Sequence, residues 1–330
     1  MTELAPLPTL TPSFVDQQTT PTSAEQVAAD IIAGLGTTAA TLAPKYFYDQ
    51  LGSQLFEAIT VLPEYYVTRT EREIFTTHAP AMAAAIRAAL GHDFQLVDLG
   101  AGNCAKAAGL LGELQPSRYV AVDISVDFLR SALAALQDRF PMMPMTGVSM
   151  DFSAKIRLPA DLAHFPTLGF YPGSSLGNFE PAQAVRFLSQ TRQMAPRTGL
   201  LLGVDLVKDP HVLESAYDDA VGVTAAFNRN ALRNVNKLAE TNFDLRQWIH
   251  RAHYNVAAAR IEIYLEAAET LTVTWPQGER GFAKGERILT EYSHKWTIDR
   301  VHAQLAEAGY GHTQIWTDER AWFAVVFAAP

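Results

Sequence analysis

Phe94–Lys106, FQLVDLGAGNCAK, is the stretch whose reading decides the fold. Phe94, Leu96, Val97 and Leu99 read as an apolar strand that enters a glycine-bearing turn and then a helix from near Asn103. Gly100 and Gly102 can take backbone angles that a Cβ forbids, and they let a ligand approach the main chain. A helix N-terminus adds unpaired N–H donors at the same point. A nucleotide-like cofactor fits such a turn. The spacing alone leaves its identity open, because Gly100-x-Gly102-x-x-Ala105 also fits a dinucleotide fingerprint.

Working outward, strands and helices alternate. The segments 118–125, 145–152, 167–178 and 199–207 read as further strands, and CAKAAGLLGELQ, VDFLRSALAALQDRF and PAQAVRFLSQTRQMA read as helices. This rhythm predicts an α/β fold with a mainly parallel, doubly wound, Rossmann-like sheet. A helix over 70–90 precedes the opening strand. After Asp209 the rhythm changes: 210–240 reads as helical and 252–275 as strands. IDRVHAQLAEAG is an amphipathic helix ended by Gly309, and two strands close the chain. A discontinuous arrangement follows. Residues 1–24, rich in Pro and Thr, form a mobile lead-in; 25–69 with 208–294 form a second, substrate-binding domain; 70–207 with 295–330 form the cofactor-binding sheet domain.

Composition narrows the function classes. A chain of 330 residues with a net charge of −9 and no basic run argues against a polyanionic partner such as nucleic acid. The single cysteine, Cys104, excludes an internal disulfide and a cysteine-based zinc cluster. No apolar run reaches membrane-spanning length, and the N-terminus lacks the basic start and apolar block of a signal peptide. A cytoplasmic, monomeric protein acting on a small molecule is the expectation. His250-x-x-His253 has helical spacing but lacks a convincing third ligand, so no metal is expected. Cys104 at a helix N-terminus reads as a small packing residue, although that position could lower its pKa.

Three acids bear on the cofactor. Asp98 gives the form apolar-apolar-Asp-apolar-Gly-x-Gly, typical of S-adenosylmethionine (SAM) methyltransferases and rare in dinucleotide dehydrogenases. Asp123 ends the next strand and is placed for ribose hydroxyls, which SAM and NAD(P) both offer. Asp151 and Phe152 end the third strand, where an acid–apolar pair can bracket an adenine. Together they favour SAM over NAD(P).

Several segments then resemble one family: PKYFYDQLGSQLFEAITVLPEYYVTRTE (44–71), GSSLGN (173–178), DLVKD (205–209), AYDDAVGVTAAFNRN (216–230), NFDL (242–245) and ILTEYSHKW (288–296). They are similar to the SAM-dependent histidine Nα-methyltransferases of ergothioneine biosynthesis, from about residue 28 to the C-terminus. The resemblance implies a class I methyltransferase sheet with a second domain, and three methyl transfers from SAM to L-histidine giving hercynine. It implies that Gly100, Gly102, Lys106, Asp123, Asp151 and Phe152 bind SAM. It places Tyr65 in the histidine pocket, Asn178 on the α-amino group, Tyr217 on the carboxylate, and Glu291 with Ser293 on the imidazole, and it counts Tyr292, between them, among the substrate-binding residues. Tyr48 lies near the reacting amine, and Phe56 and Gly173 shape the space around the methyl groups. Two departures stand out: the turn Gly-Ala-Gly-Asn-Cys where Gly-Ser-Gly-Thr is expected, and Ile263 in place of methionine. The rival readings are a same-family enzyme acting on another amino acid or an indole derivative, and a non-catalytic SAM-binding regulator. Glu291 argues against an indole, which has no need of a carboxylate.

Overall fold

The computed structural model describes residues 9–17, 23–124, 126–151 and 156–330. In chain order these form β1 (Ser13–Asp16), α1 (Ala24–Gly36), α2 (Gln50–Thr60), α3 (Tyr66–Leu90), β2 (Gln95–Leu99), α4 (Ala105–Ala108), α5 (Leu111–Leu114), β3 (Arg118–Asp123) and α6 (Val126–Arg139). There follow β4 (Met145–Ser149), β5 (Thr167–Tyr171), α7 (Pro181–Arg192), β6 (Thr198–Asp205), α8 (Pro210–Tyr217) and α9 (Val223–Ala239). The chain closes with β7 (Trp248–Asn255), β8 (Arg260–Ala267), β9 (Leu271–Trp275), β10 (Gly278–Phe282), β11 (Arg287–His294), α10 (Ile298–Glu307), β12 (His312–Thr317) and β13 (Phe323–Ala329).

Eight strands form one sheet in the order β1-β4-β3-β2-β5-β6-β13-β12. Neighbours from β1 to β6 run parallel, and β13 is antiparallel to both β6 and β12. β2, β5 and β6 are buried at every position, because helices cover both faces of a parallel sheet. Their residues alternate between two cores: Leu96, Phe170 and Leu201 pack under α3, while Val97, Leu200 and Leu202 face α7 and α10. The strand order reverses between β2 and β5, and this switch point opens a crevice at the carboxyl ends of the strands. The sheet is the Rossmann-like one expected.

Outside it, β11-β8-β7 form an antiparallel sheet and β9-β10 a hairpin. Ile31 and Leu35 of α1, Leu232 and Val235 of α9, Trp248, Leu265 and Phe282 make their common core. Among the described residues no helix is long and apolar enough to cross a membrane.

Several elements differ from expectation, each for a local reason. Residues 13–16, expected in the mobile lead-in, add β1 to β4 in parallel. Phe14 drives this by lying against Gly147, where no Cβ intrudes, with the Arg130 guanidinium 4.3 Å from its ring centroid. α3 starts at Tyr66 instead of near residue 70 and runs unbroken through the domain boundary expected at 69/70. CAKAAGLLGELQ forms two single turns, α4 and α5, because Cys104 is held left-handed (φ 58°) before the first and Gly109 separates them. His250 and His253 lie on a strand, so their spacing puts them on opposite faces.

Gly52 in α2 makes a signed prediction. Normally Gly→Ala strengthens a helix by up to about 1 kcal/mol. Here a Cβ would fall on the Phe47 carbonyl oxygen. Gly52→Ala should therefore destabilise the protein by roughly 1–3 kcal/mol in urea unfolding. A stabilised variant would contradict the packing described.

Candidate active site

The parallel register brings the ends of β2, β3, β4 and β5 to one edge, since Asp98 pairs with Ala121 and Phe170, and Asp123 with Ser149. Gly100 and Gly102 follow β2 with φ of 76° and 52°, a conformation that suits glycine. The Gly102 N–H donates to Asp123 Oδ2 at 3.0 Å, so the turn and the acid form one unit. Beneath the turn, Tyr119 Oη donates to buried Asp98 at 2.7 Å, and burial raises that carboxyl to about 7. Asp151 is exposed just after β4, and Phe152 lies outside the described residues. This edge, with two left-handed glycines and carboxylates at successive strand ends, fits the ribose and adenine of a nucleoside cofactor.

Lys106, on α4, donates to Glu71 Oε2 at 2.7 Å. The other oxygen of Glu71 accepts the Gly173 N–H at 2.6 Å. Glu71, fully buried on α3, thus joins the cofactor edge to the loop after β5. Gly173 is required there: its φ is +81°, and a Cβ would lie 2.7 Å from Lys106 Nζ.

Next to this edge a cavity opens between the sheet and the second part of the chain. Tyr48, Phe56, Tyr65, Gly173, Asn178, Tyr217, Glu291 and Ser293 all line it, as does Ile263. One wall is aromatic. Phe227 lies 4.8 Å from Phe47, 5.6 Å from Tyr48 and 5.9 Å from Phe56, centroid to centroid. Asp49 sets this wall by capping α2 at Gly52 N–H (2.8 Å) and accepting from Asn230 Nδ2 on α9 (2.7 Å). Asn178 ends a short turn over 175–178 that docks on β11, an approach open only because Gly177 has no Cβ to strike the His294 backbone. Glu291 is turned inward by a bulge between Leu289 and Glu291 in the pairing of β11 with β8. No hydrogen bond holds its carboxylate among the described residues, and burial raises it to about 7 against the pull of Lys295.

Tyr217 and Ser293 meet, their hydroxyls 2.9 Å apart, and Lys295 Nζ donates to both at 2.9 Å. Lys295 is wholly buried and pairs with Asp205 Oδ2 at 2.8 Å. Asp205 also takes Lys208 and the Tyr66 hydroxyl, and its own N–H donates to Ser174 Oγ. Burial would raise the Asp205 carboxyl, but Lys295 and Lys208 hold it below its usual range. Burial pulls Lys208 down to about 8. His250 steadies the Tyr217 main chain: its Nε2 faces Tyr217 O at 2.8 Å, so that nitrogen carries the proton and Nδ1 accepts from Asn228 at 2.9 Å.

Tyr292 is corrected. On a strand the residue between Glu291 and Ser293 faces the other way, and Tyr292 packs under the Arg260 guanidinium 3.5 Å from its ring centroid. His253 is half-exposed beside Glu262, and no group of three or more metal-ligating side chains occurs among the described residues. Cys104 is buried, and burial pushes its thiol up to about 12, the reverse of activation. Phe227, Glu71, Asp205 and Lys295 were not anticipated as site residues. All four stand in segments that carry the resemblance, so the signal was present without a role attached.

A model of the SAM-dependent, histidine-specific methyltransferase family matches residues 27–330. The chain is 40% identical to the histidine N-alpha-methyltransferase of Mycolicibacterium smegmatis, over 97% of this chain and 99% of that one. It is 38% identical to the protein of that name from Mycobacterium tuberculosis, over 91% and 94%. Ergothioneine biosynthesis protein 1 of Neurospora crassa is 31% identical over 82% of this chain, which spans 31% of that longer protein.

Glu291 gives a pH prediction. Its raised pKa means the folded protein keeps a proton that the unfolded chain has lost between about 4.5 and about 7, so this group's contribution to stability falls as pH rises through that window. The stability of the unsubstituted protein relative to Glu291→Gln should decline from pH 4.5 to 7 and then level off, read from paired thermal or urea unfolding. A pH-independent gap would contradict the burial.

Proposed function

The chain belongs to the family of SAM-dependent, histidine-specific methyltransferases, and from that premise we propose that it methylates the α-amino nitrogen of L-histidine three times, giving hercynine. This is the first step of ergothioneine biosynthesis, in keeping with the relatives' names. The observation that carries the reading is Glu291, an inward carboxylate with no hydrogen bond among the described residues, set in a cavity beside the nucleoside edge. A carboxylate left open in this way wants an N–H donor. An imidazole supplies one, and an apolar side chain in its place leaves a buried polar group unpaired, which costs about 1–3 kcal/mol.

SAM, bound along Gly100, Gly102, Lys106, Asp123 and Asp151, supplies an already activated methyl group on its sulfonium. The protein's task is alignment, because in-line displacement gains chiefly from holding the amine nitrogen about 3 Å from that methyl in the right direction. Asn178 orients the amine without adding charge. Tyr65 and Tyr217 hold the carboxylate end. Tyr48 lies near the amine, and desolvation with nearby Glu291 holds its phenol well above the usual range, so it acts as a proton-bearing positioning group. Phe56 and Phe227 give the methylated ammonium aromatic faces, which attract a cation.

Purified protein given SAM and L-histidine should form a product heavier by three methyl groups, seen by mass spectrometry. Unchanged histidine alongside turnover of another amino acid would sink the specificity. Glu291→Ala should weaken histidine binding by roughly tenfold or more while leaving SAM binding within about twofold. Equal loss of both would contradict the imidazole role.

A further inference from the structure

Lys295 does not line the cavity, yet it touches two side chains that do. Its three N–H donors are all spent, on Asp205, Tyr217 and Ser293. Each of the two hydroxyl oxygens therefore already accepts from Lys295. At 2.9 Å from each other, one hydroxyl donates to its neighbour, and one O–H proton is left over. Behind this pair Lys295 and Lys208 are two cations that share Asp205, the one carboxylate in direct contact with them among the described residues, while Asp318 and Glu291 act on them from farther off. Tyr217 itself is no anion, since burial holds its phenol far above its usual range. The cavity wall at Tyr217 and Ser293 thus offers a proton donor backed by excess positive charge, and the ligand it suits is an anion.

We propose that Lys295 is a positioning residue for the α-carboxylate of the amino-acid substrate, acting through the Tyr217–Ser293 hydroxyl pair. This rests on the functional reading above and deepens it. Lys295 fixes the hydroxyl pair so that the one remaining O–H donates towards the cavity, and it supplies the countercharge that a desolvated carboxylate needs. Ser293 accordingly belongs to the carboxylate end together with Tyr217, and Glu291 alone reads the imidazole. The arrangement separates the two ends of the substrate by charge, with surplus cation at one and a carboxylate at the other.

Calorimetric titration with L-histidine and with histamine, which has the same imidazole and amine but no carboxylate, tests the assignment. In the unsubstituted protein histidine should bind more tightly than histamine. In Lys295→Met that preference should fall roughly tenfold to a hundredfold, through loss of histidine affinity with histamine affinity nearly unchanged. Tyr217→Phe should show the same pattern, and the double variant should lose little beyond either single one. S-adenosylhomocysteine affinity reports that the fold is intact. Where Lys295→Met disturbs it, Lys295→Gln with Asp205→Asn replaces the ion pair by a neutral one and reads the same ratio. Parallel loss of histidine and histamine would overturn the proposal and leave the functional reading standing. An unsubstituted protein that binds S-adenosylhomocysteine but not histidine would overturn both.

Discussion

A buried carboxylate governs how the two parts of this chain meet. Asp205 ends β6, and its side chain gathers Lys208, Lys295 and the Tyr66 hydroxyl out of contact with water. A charge in that position is costly unless every lone pair is used, and here partners from three separate stretches of chain use them. The consequence is geometric. The start of α3, the end of the central sheet and the residues after β11 are fixed to one point, and that point lies directly behind the cavity wall. The main-chain bond from Trp296 N–H to Asp205 O at 2.9 Å repeats the tie without charge. Removing one member would leave the others unpaired, so the cluster acts as a single constraint.

From that constraint the division of labour follows. The parallel sheet supplies a generic edge, two left-handed glycines with carboxylates at successive strand ends, where a methyl donor can lie. On the proposed reading, the antiparallel part and its helices supply what distinguishes one acceptor from another: Glu291 on its bulge, the hydroxyl pair of Tyr217 and Ser293, and the rings around Phe227. Glu71 joins the two by holding Lys106 with one oxygen and the Gly173 N–H with the other. Geometry at the cofactor turn is thereby transmitted to the loop that carries Asn178, over a path of two hydrogen bonds.

The sheet was legible because its strands are rich in apolar residues and Gly100 and Gly102 directly follow β2, both local properties. The rest depended on contacts between distant segments. No periodicity places Phe14 over Gly147, so β1 was hidden in a stretch that reads as lead-in. The spacing of His250 and His253 fits a helix as well as it fits two faces of a strand, and only pairing with β8 decides. Tyr292 entered the expected site by adjacency to Glu291 and Ser293, but strand alternation sends it the other way. Lys295 and Asp205 read as ordinary charges in sequence. Their importance comes from burial, which a sequence does not display. Phe227 likewise sits within a resembling segment, and only the fold shows it among the rings of Phe47, Tyr48 and Phe56.

A ternary crystal structure with S-adenosylhomocysteine and L-histidine tests the account at its centre, namely that the sheet edge holds the donor while Glu291 and the Tyr217–Ser293 pair fix the two ends of the acceptor. The account predicts the imidazole N–H on Glu291, the carboxylate at the Tyr217 hydroxyl, and the α-nitrogen beside Asn178 with its lone pair directed at the sulfur. A histidine bound with its carboxylate towards Glu291, or with its amine turned away from the cofactor edge, would contradict it.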